Sequence, residues 1–225
     1  MYFRTTGIRL AVLRTQLRVM MKDKQMKSLN KYIISLVFVG MLPALSYAQQ
    51  YTAVETAKTG VESLLDTVQA SRTLFLSDRD AYFAAVEGAL SSIVDFTAVA
   101  EVVMNRFAAS ASDAQKQRFA DILKNTLTRF YGASLVAYEG QELVFLPASN
   151  ADADPRGDTV VSMELRGGDS NLRLQYQMFL NENDEWKLKN LSLAGINLGR
   201  QYFTQFSALM GQNDNDIDAV LDNWK

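Results

Sequence analysis

The spacing of apolar positions changes period near the middle of the chain. From Thr52 to Ser71, Val54, Ala57, Val61, Leu64, Leu65 and Val68 recur at intervals of three and four, which predicts an amphipathic helix. Ser77 and Asp78 offer an N-cap for a second helix, whose stripe is Tyr82, Phe83, Val86, Leu90, Ile93 and Val94. Asp95 offers a cap for a third, carrying Phe96, Val99, Val102, Val103, Met104 and Phe107. Ser112 and Gln115 stand at capping-box spacing, where each side chain satisfies the other residue's backbone N–H. They open a long helix with Phe119, Ile122, Leu123, Leu127, Phe130, Tyr131 and Leu135 on one stripe, running to Tyr138.

Past Gly140 the period shortens to 2, so the chain passes from helices to strands. Strands are expected from Gln141 to Leu146 and from Thr159 to Arg166, joined by a polar loop from Ala148 to Gly157. A turn at Gly167, Gly168 and Asp169 leads into the strand Asn171 to Asn181, with Leu172, Leu174, Tyr176, Met178 and Leu180 on one face. After a turn at Asn183, Asp184 and Glu185, Trp186 and Leu188 begin a strand whose apolar phase slips to Leu191 and Leu193. That slip predicts a β-bulge and a bent sheet. Two short helices follow, from Leu198 to Met210 and from Asp216 to Trp224. The order gives an α+β fold, with N-terminal helices packed on a curved four-stranded antiparallel sheet, a geometry able to enclose a cavity.

The first 48 residues have the layout of a secretory signal. Lys22, Lys24, Lys27 and Lys31 make a basic segment. The 13 residues from Ile33 to Leu45 are apolar apart from Ser35 and Gly40, against the roughly 20 that a membrane-spanning helix needs. Ser46, Tyr47 and Ala48 give a small-x-small cleavage pattern, which makes Gln49 the expected first residue of a single mature domain, 49–225. Residues 1–20 add nothing a signal needs, so Met21 or Met26 is an alternative start. The expected compartment is the periplasm.

Composition narrows the chemistry. Eight of the 23 Lys and Arg but only one of the 25 Asp and Glu precede Gln49, so residues 49–225 carry a net charge of −9. That opposes nucleic-acid binding and adsorption to anionic lipid. The chain has no histidine and no cysteine, which removes the usual general base, imidazole and thiolate metal ligands, and the serine and cysteine nucleophile systems. Asp214, Asp216 and Asp218 begin like a calcium loop, but Ala219 stands at its glycine position and Lys225 at its bidentate acid.

Two runs of residues carry a family resemblance. The first is Asp95-Phe96, Ala111-Ser112, Gln115, Arg118, Phe119, Leu127, Arg129, Tyr131 and Leu135. The second is Tyr176, Trp186-Lys187, Gly195-Ile196-Asn197-Leu198, Tyr202, Gln205 and Phe206. Together they resemble the periplasmic phospholipid carriers of the Mla pathway, the toluene-tolerance family. Asn105, Ala108 and Phe203 depart from that pattern, standing where glycine, tryptophan and arginine are usual. The resemblance implies a nuclear-transport-factor-like fold around an apolar pocket, with phospholipid as cargo and no cofactor. It also implies partners: an outer-membrane lipoprotein/porin complex and an inner-membrane ABC transporter complex with its substrate-binding subunit. The implied role is maintenance of outer-membrane lipid asymmetry.

Walls suited to acyl chains are available in Met104, Phe107, Phe130, Tyr131, Val161, Met163, Leu174, Tyr176, Met178, Leu191, Leu193, Ile196 and Phe206. Periodicity alone does not separate such walls from ordinary core. Arg106, Arg129 and Arg200 are the candidate phosphate contacts, although no basic run marks a headgroup site. Two other readings remain open: an enzyme pairing a carboxylate (Asp95, Glu101 or Glu164) with Tyr131 or Tyr176, and a structural adaptor with a solid core.

Overall fold

A computed structural model describes residues 52–146, 157–167 and 171–224. The expected secretory segment, residues 147–156 of the long loop, and Gly168 and Asp169 of the glycine turn lie outside them.

Side-chain caps set the helix starts. Helix α1 (Ala53–Ser71) opens on a capping box: Glu55 N–H donates to Thr52 Oγ1 at 3.2 Å and Thr52 N–H donates to Glu55 Oε2 at 2.9 Å. Its buried face is Ala53, Ala57, Val61, Leu65 and Val68, so Ala53 takes the inward position expected for Val54, which is exposed. A short helix α2 (Leu74–Ser77), absent from the periodicity, precedes α3 (Arg79–Ile93). As expected, Asp78 caps α3, accepting from Ala81 N–H at 3.0 Å, and Asp95 caps α4 (Phe96–Met104), accepting from Ala98 N–H at 2.9 Å. Helix α4 stops three residues short of Phe107 because Asn105 turns to φ +51°, in the left-handed region that favours glycine. Helix α5 (Asp113–Leu135) begins with the expected Ser112–Gln115 box.

The strands form one antiparallel sheet in the order β1 (Glu142–Phe145), β2 (Thr159–Arg166), β3 (Leu172–Leu180), β4 (Trp186–Leu193) and β5 (Ile196–Asn197). The fifth strand exceeds the four expected: Ala194 (φ +50°) and Gly195 (φ +83°) make a two-residue turn that folds Ile196–Asn197 back on the end of β4. The expected bulge is present. Gln177 pairs with Asn190 but Met178 with Leu188, so Lys189 is the extra residue. Helices α6 (Leu198–Gln212) and α7 (Ile217–Asp222) complete the order, capped by Asn197 and Asp216. The result is the α+β class, with α1 over the inner face of β2, β3 and β4, and α4 and α6 against β4.

Three apolar clusters hold these layers. Met104, Phe119, Leu123, Phe206, Met210 and Trp224 join α4, α5, α6 and the chain end. Val61, Leu65, Val161, Met163, Tyr176 and Met178 join α1 to the sheet. Val68, Tyr82, Phe83 and Val86 join α1 and α3, where the Tyr82 hydroxyl donates to Gly132 O of α5 at 2.8 Å. No described helix is long and apolar enough to cross a membrane.

Candidate functional site

Between the inner face of the sheet and the helices lies a cavity of about 430 Å³. Helix α1 supplies Val61, Leu64 and Leu65, and the α3–α4 junction supplies Leu90, Val94 and Phe96. Helix α4 adds Val99 and Val103, and the C-terminal half of α5 adds Leu127, Tyr131, Gly132 and Leu135. The sheet contributes Leu143, Met163, Leu165, Leu172, Leu174, Tyr176, Leu188, Asn190, Leu191 and Leu193. The first turns of α6 close the ring with Leu198, Gly199 and Tyr202.

Many of these apolar side chains are only half-buried although they face inward, among them Leu64, Leu90, Leu127, Leu143 and Leu172. Protein interiors normally pack as densely as organic crystals. Here open space stands where a neighbouring side chain would be. None of the described residues lining the cavity is charged. A cavity lined mainly by uncharged, apolar side chains suits an apolar ligand and offers water few partners.

The few polar groups are mostly engaged with one another. The Tyr138 hydroxyl donates to Gln141 O at 3.2 Å, and Gln141 Oε1 accepts from Glu139 N–H at 3.0 Å. Burial, then interaction with the Tyr131 hydroxyl, holds the Tyr202 phenol above its ordinary range. Asn190 is spent on Leu191, Gly199, Gln177 and Asn197. Burial alone pushes Tyr176 up, and no described residue hydrogen-bonds its hydroxyl.

Of the residues expected as walls, Tyr131, Met163, Leu174, Tyr176, Leu191 and Leu193 surround the cavity. Met104 and Phe206 are instead fully buried in the cluster beneath it, with Phe107 packed on them. Val161 and Met178 fill the interface between α1 and the sheet. Phe130 and Ile196 are exposed, at 67% and 57%. Phe130 follows Arg129 and stacks edge-on against Tyr131 from outside, and Ile196 sits on the edge strand β5. Most of the α1, α4 and α5 lining was on the predicted stripes without being singled out. The signal available was width: Leu64 beside Leu65, and Val102 beside Val103, make stripes broader than one packed face requires.

The three candidate arginines lie off the cavity lining. Arg106 stacks on Phe107 and Phe203 and donates to Ser207 Oγ at 2.9 Å. Arg129 pairs with Asp80 at 3.0 Å and lies over Phe83. Arg200 is exposed in the first turn of α6. The candidate carboxylates are also off the lining: Asp95 caps α4, Glu101 pairs with Lys116 at 2.8 Å and Glu164 with Arg166 at 2.8 Å. At the chain end, Asp216 caps α7, while Asp218 accepts from Gln115 and Arg118.

Comparison with known proteins fits this architecture. The sequence model of the family described as MlaC protein matches residues 58–225. The toluene tolerance protein ttg2D of Pseudomonas putida is 29% identical over 190 residues, covering 84% of this chain and 86% of that protein. A phospholipid-binding protein from Ralstonia solanacearum, solved in complex with a phospholipid, superposes with a TM-score of 0.68 at 24% identity, over 76% of this chain and 94% of that one. That likeness shows a shared fold.

Proposed function

The chain belongs to the MlaC protein family, and from that premise we propose that it is a periplasmic phospholipid carrier, without catalytic activity, whose cargo sits in the cavity between sheet and helices. The observation that carries the reading is the uncharged apolar cavity of about 430 Å³. The lipid bound by the Ralstonia solanacearum relative of the same fold supports it. Two acyl chains of about 15 methylenes each carry on the order of 24 kcal/mol of aversion to water, at about 0.8 kcal/mol per methylene. A carrier must shelter most of that, and the half-buried leucines are surface held ready for it. With no charged side chain among the described lining residues, the phosphate headgroup stays at the rim in water.

The role we assign is shuttling of phospholipid between an outer-membrane lipoprotein/porin complex and an inner-membrane ABC transporter complex, in support of outer-membrane lipid asymmetry. The net charge of −9 over residues 49–225 keeps the carrier from adsorbing to anionic lipid and favours basic docking surfaces on those partners. Export follows from the basic, apolar and small-residue order of residues 21–48, with the mature domain starting at Gln49.

Protein recovered from periplasm should yield phospholipid on extraction, and native mass spectrometry should show a lipid adduct on a chain beginning at Gln49. A lipid-free protein that takes none from liposomes would defeat the carrier reading.

A further inference from the structure

Most of the larger polar side chains of the cavity wall are already engaged. Tyr138, Gln141 and Asn190 hold hydrogen bonds to the protein, and the hydroxyls of Tyr131 and Tyr202 interact with each other. Tyr176 is different. It sits at the middle of β3, in register with Val161 on β2 and Leu191 on β4, and shares a core cluster with Val61 and Leu65 of α1. The residue is 8% exposed and lines the cavity, and no described residue hydrogen-bonds its hydroxyl. A phenol hydroxyl with no protein partner on the wall of an apolar cavity is free to donate to an acceptor that enters it.

Resting on the phospholipid-carrier reading, we propose that the Tyr176 hydroxyl donates a hydrogen bond to an acyl-ester carbonyl of the bound lipid. A phospholipid brings two kinds of acceptor, phosphate oxygens and ester carbonyls. A phosphate at Tyr176 would be a charge among Val61, Leu65 and Leu191 with no cation among the described lining residues, an unpaired buried ion. An ester carbonyl is a neutral acceptor attached directly to the acyl chain that the leucines shelter. The site thereby reads the ester link as well as the hydrocarbon, and it sets how deep the lipid enters, with the carbonyl at mid-strand and the headgroup beyond it towards the rim. Burial keeps the phenol protonated across the physiological range, as a donor must be.

The test compares delipidated wild-type protein with Tyr176→Phe, a change that removes one oxygen and leaves the ring. Each is exposed to vesicles holding equal amounts of diester and diether phosphatidylethanolamine of the same chain length, and the captured lipids are counted by mass spectrometry. Wild type should favour the diester roughly three- to tenfold, the range of one net hydrogen bond. Tyr176→Phe should take both equally. In parallel, the infrared band of a ¹³C-labelled ester carbonyl should shift to lower wavenumber in wild type and not in the variant. Equal capture of the two lipids by wild type, or a diester preference that survives in Tyr176→Phe, overturns the assignment. Wild type taking neither lipid would instead defeat the carrier reading on which it rests.

Discussion

Asn190 Oδ1 accepts the backbone N–H of Gly199 at 3.0 Å, tying the bulged strand β4 to the first turn of α6. The same oxygen accepts from Leu191 N–H at 2.9 Å, and the amide nitrogen donates to Asn197 Oδ1, the cap of α6, at 3.1 Å. One buried side chain thus fixes two walls of the cavity. Asn190→Ala leaves the buried Gly199 N–H and the Leu191 N–H unsatisfied, and should cost about 2 kcal/mol or more, read by urea denaturation. An unchanged midpoint would show that water replaces the amide at no cost.

Gly199 lets these elements approach. A Cβ there would lie 2.7 Å from Val102 Cγ1 and 2.8 Å from Asn190 Oδ1. Gly199→Ala should therefore destabilise by about 1–3 kcal/mol, and adding Val102→Ala should recover part of the loss, because the two residues share one contact. Strict additivity of the two changes would contradict the close approach.

Asn105 holds φ +51° after α4, with its Oδ1 accepting from Arg106 N–H at 2.8 Å. Glycine reaches this conformation without the Cβ clash, so Asn105→Gly should raise stability by about 0.5–1 kcal/mol. A lower melting temperature would mean that the side-chain hydrogen bond outweighs the strain.

Core and wall positions should separate experimentally. Phe206→Ala, in the solid cluster with Phe119 and Trp224, should cost about 3–5 kcal/mol. Phe130→Ala, at an exposed ring, should stay within about 0.5 kcal/mol and keep bound lipid. Leu174→Trp, on the cavity floor, should leave a folded protein that recovers little or no phospholipid. Full lipid loading in that variant would move the cargo elsewhere.

Stability should be nearly flat around neutrality, since the chain has no histidine or cysteine and no side chain of ordinary pKa between about 5 and 9. Burial raises Tyr176, so the folded state keeps a proton that the unfolded chain loses near pH 10. That contribution is intact below about pH 10 and fades as pH rises further. Glu55 is lowered by its capping bonds to Thr52, and Glu185 by Asn181 first and then Lys187. Their contributions hold above the ordinary carboxylate range and are lost as pH falls through it. Thermal melts from pH 3 to 11 should show a plateau with decline at both ends, and a pronounced step between pH 6 and 7 would contradict this assignment of groups.

The sequence alone determined whatever depends on neighbours a few residues apart. Asp78, Asp95 and the Ser112–Gln115 pair cap helices because an oxygen three residues upstream meets a free N–H, and that geometry belongs to any chain with the same local order. The bulge was legible in the slip from Leu188 to Leu191, since strand alternation admits no other way to turn both side chains inward. Only the tertiary structure decided which apolar residues face space and which face one another. Leu174 and Met178 lie on the same face of β3, yet the first borders the cavity and the second is fully buried against α1 and the sheet. Phe130 and Tyr131 are neighbours on one predicted stripe, and one points to solvent while the other lines the wall. Periodicity records the direction a side chain takes from its own helix or strand. Whether that direction ends in a filled core or an open cavity depends on the distance to the opposite element, which β4, α4 and α6 set together through Asn190, Gly199 and Val102.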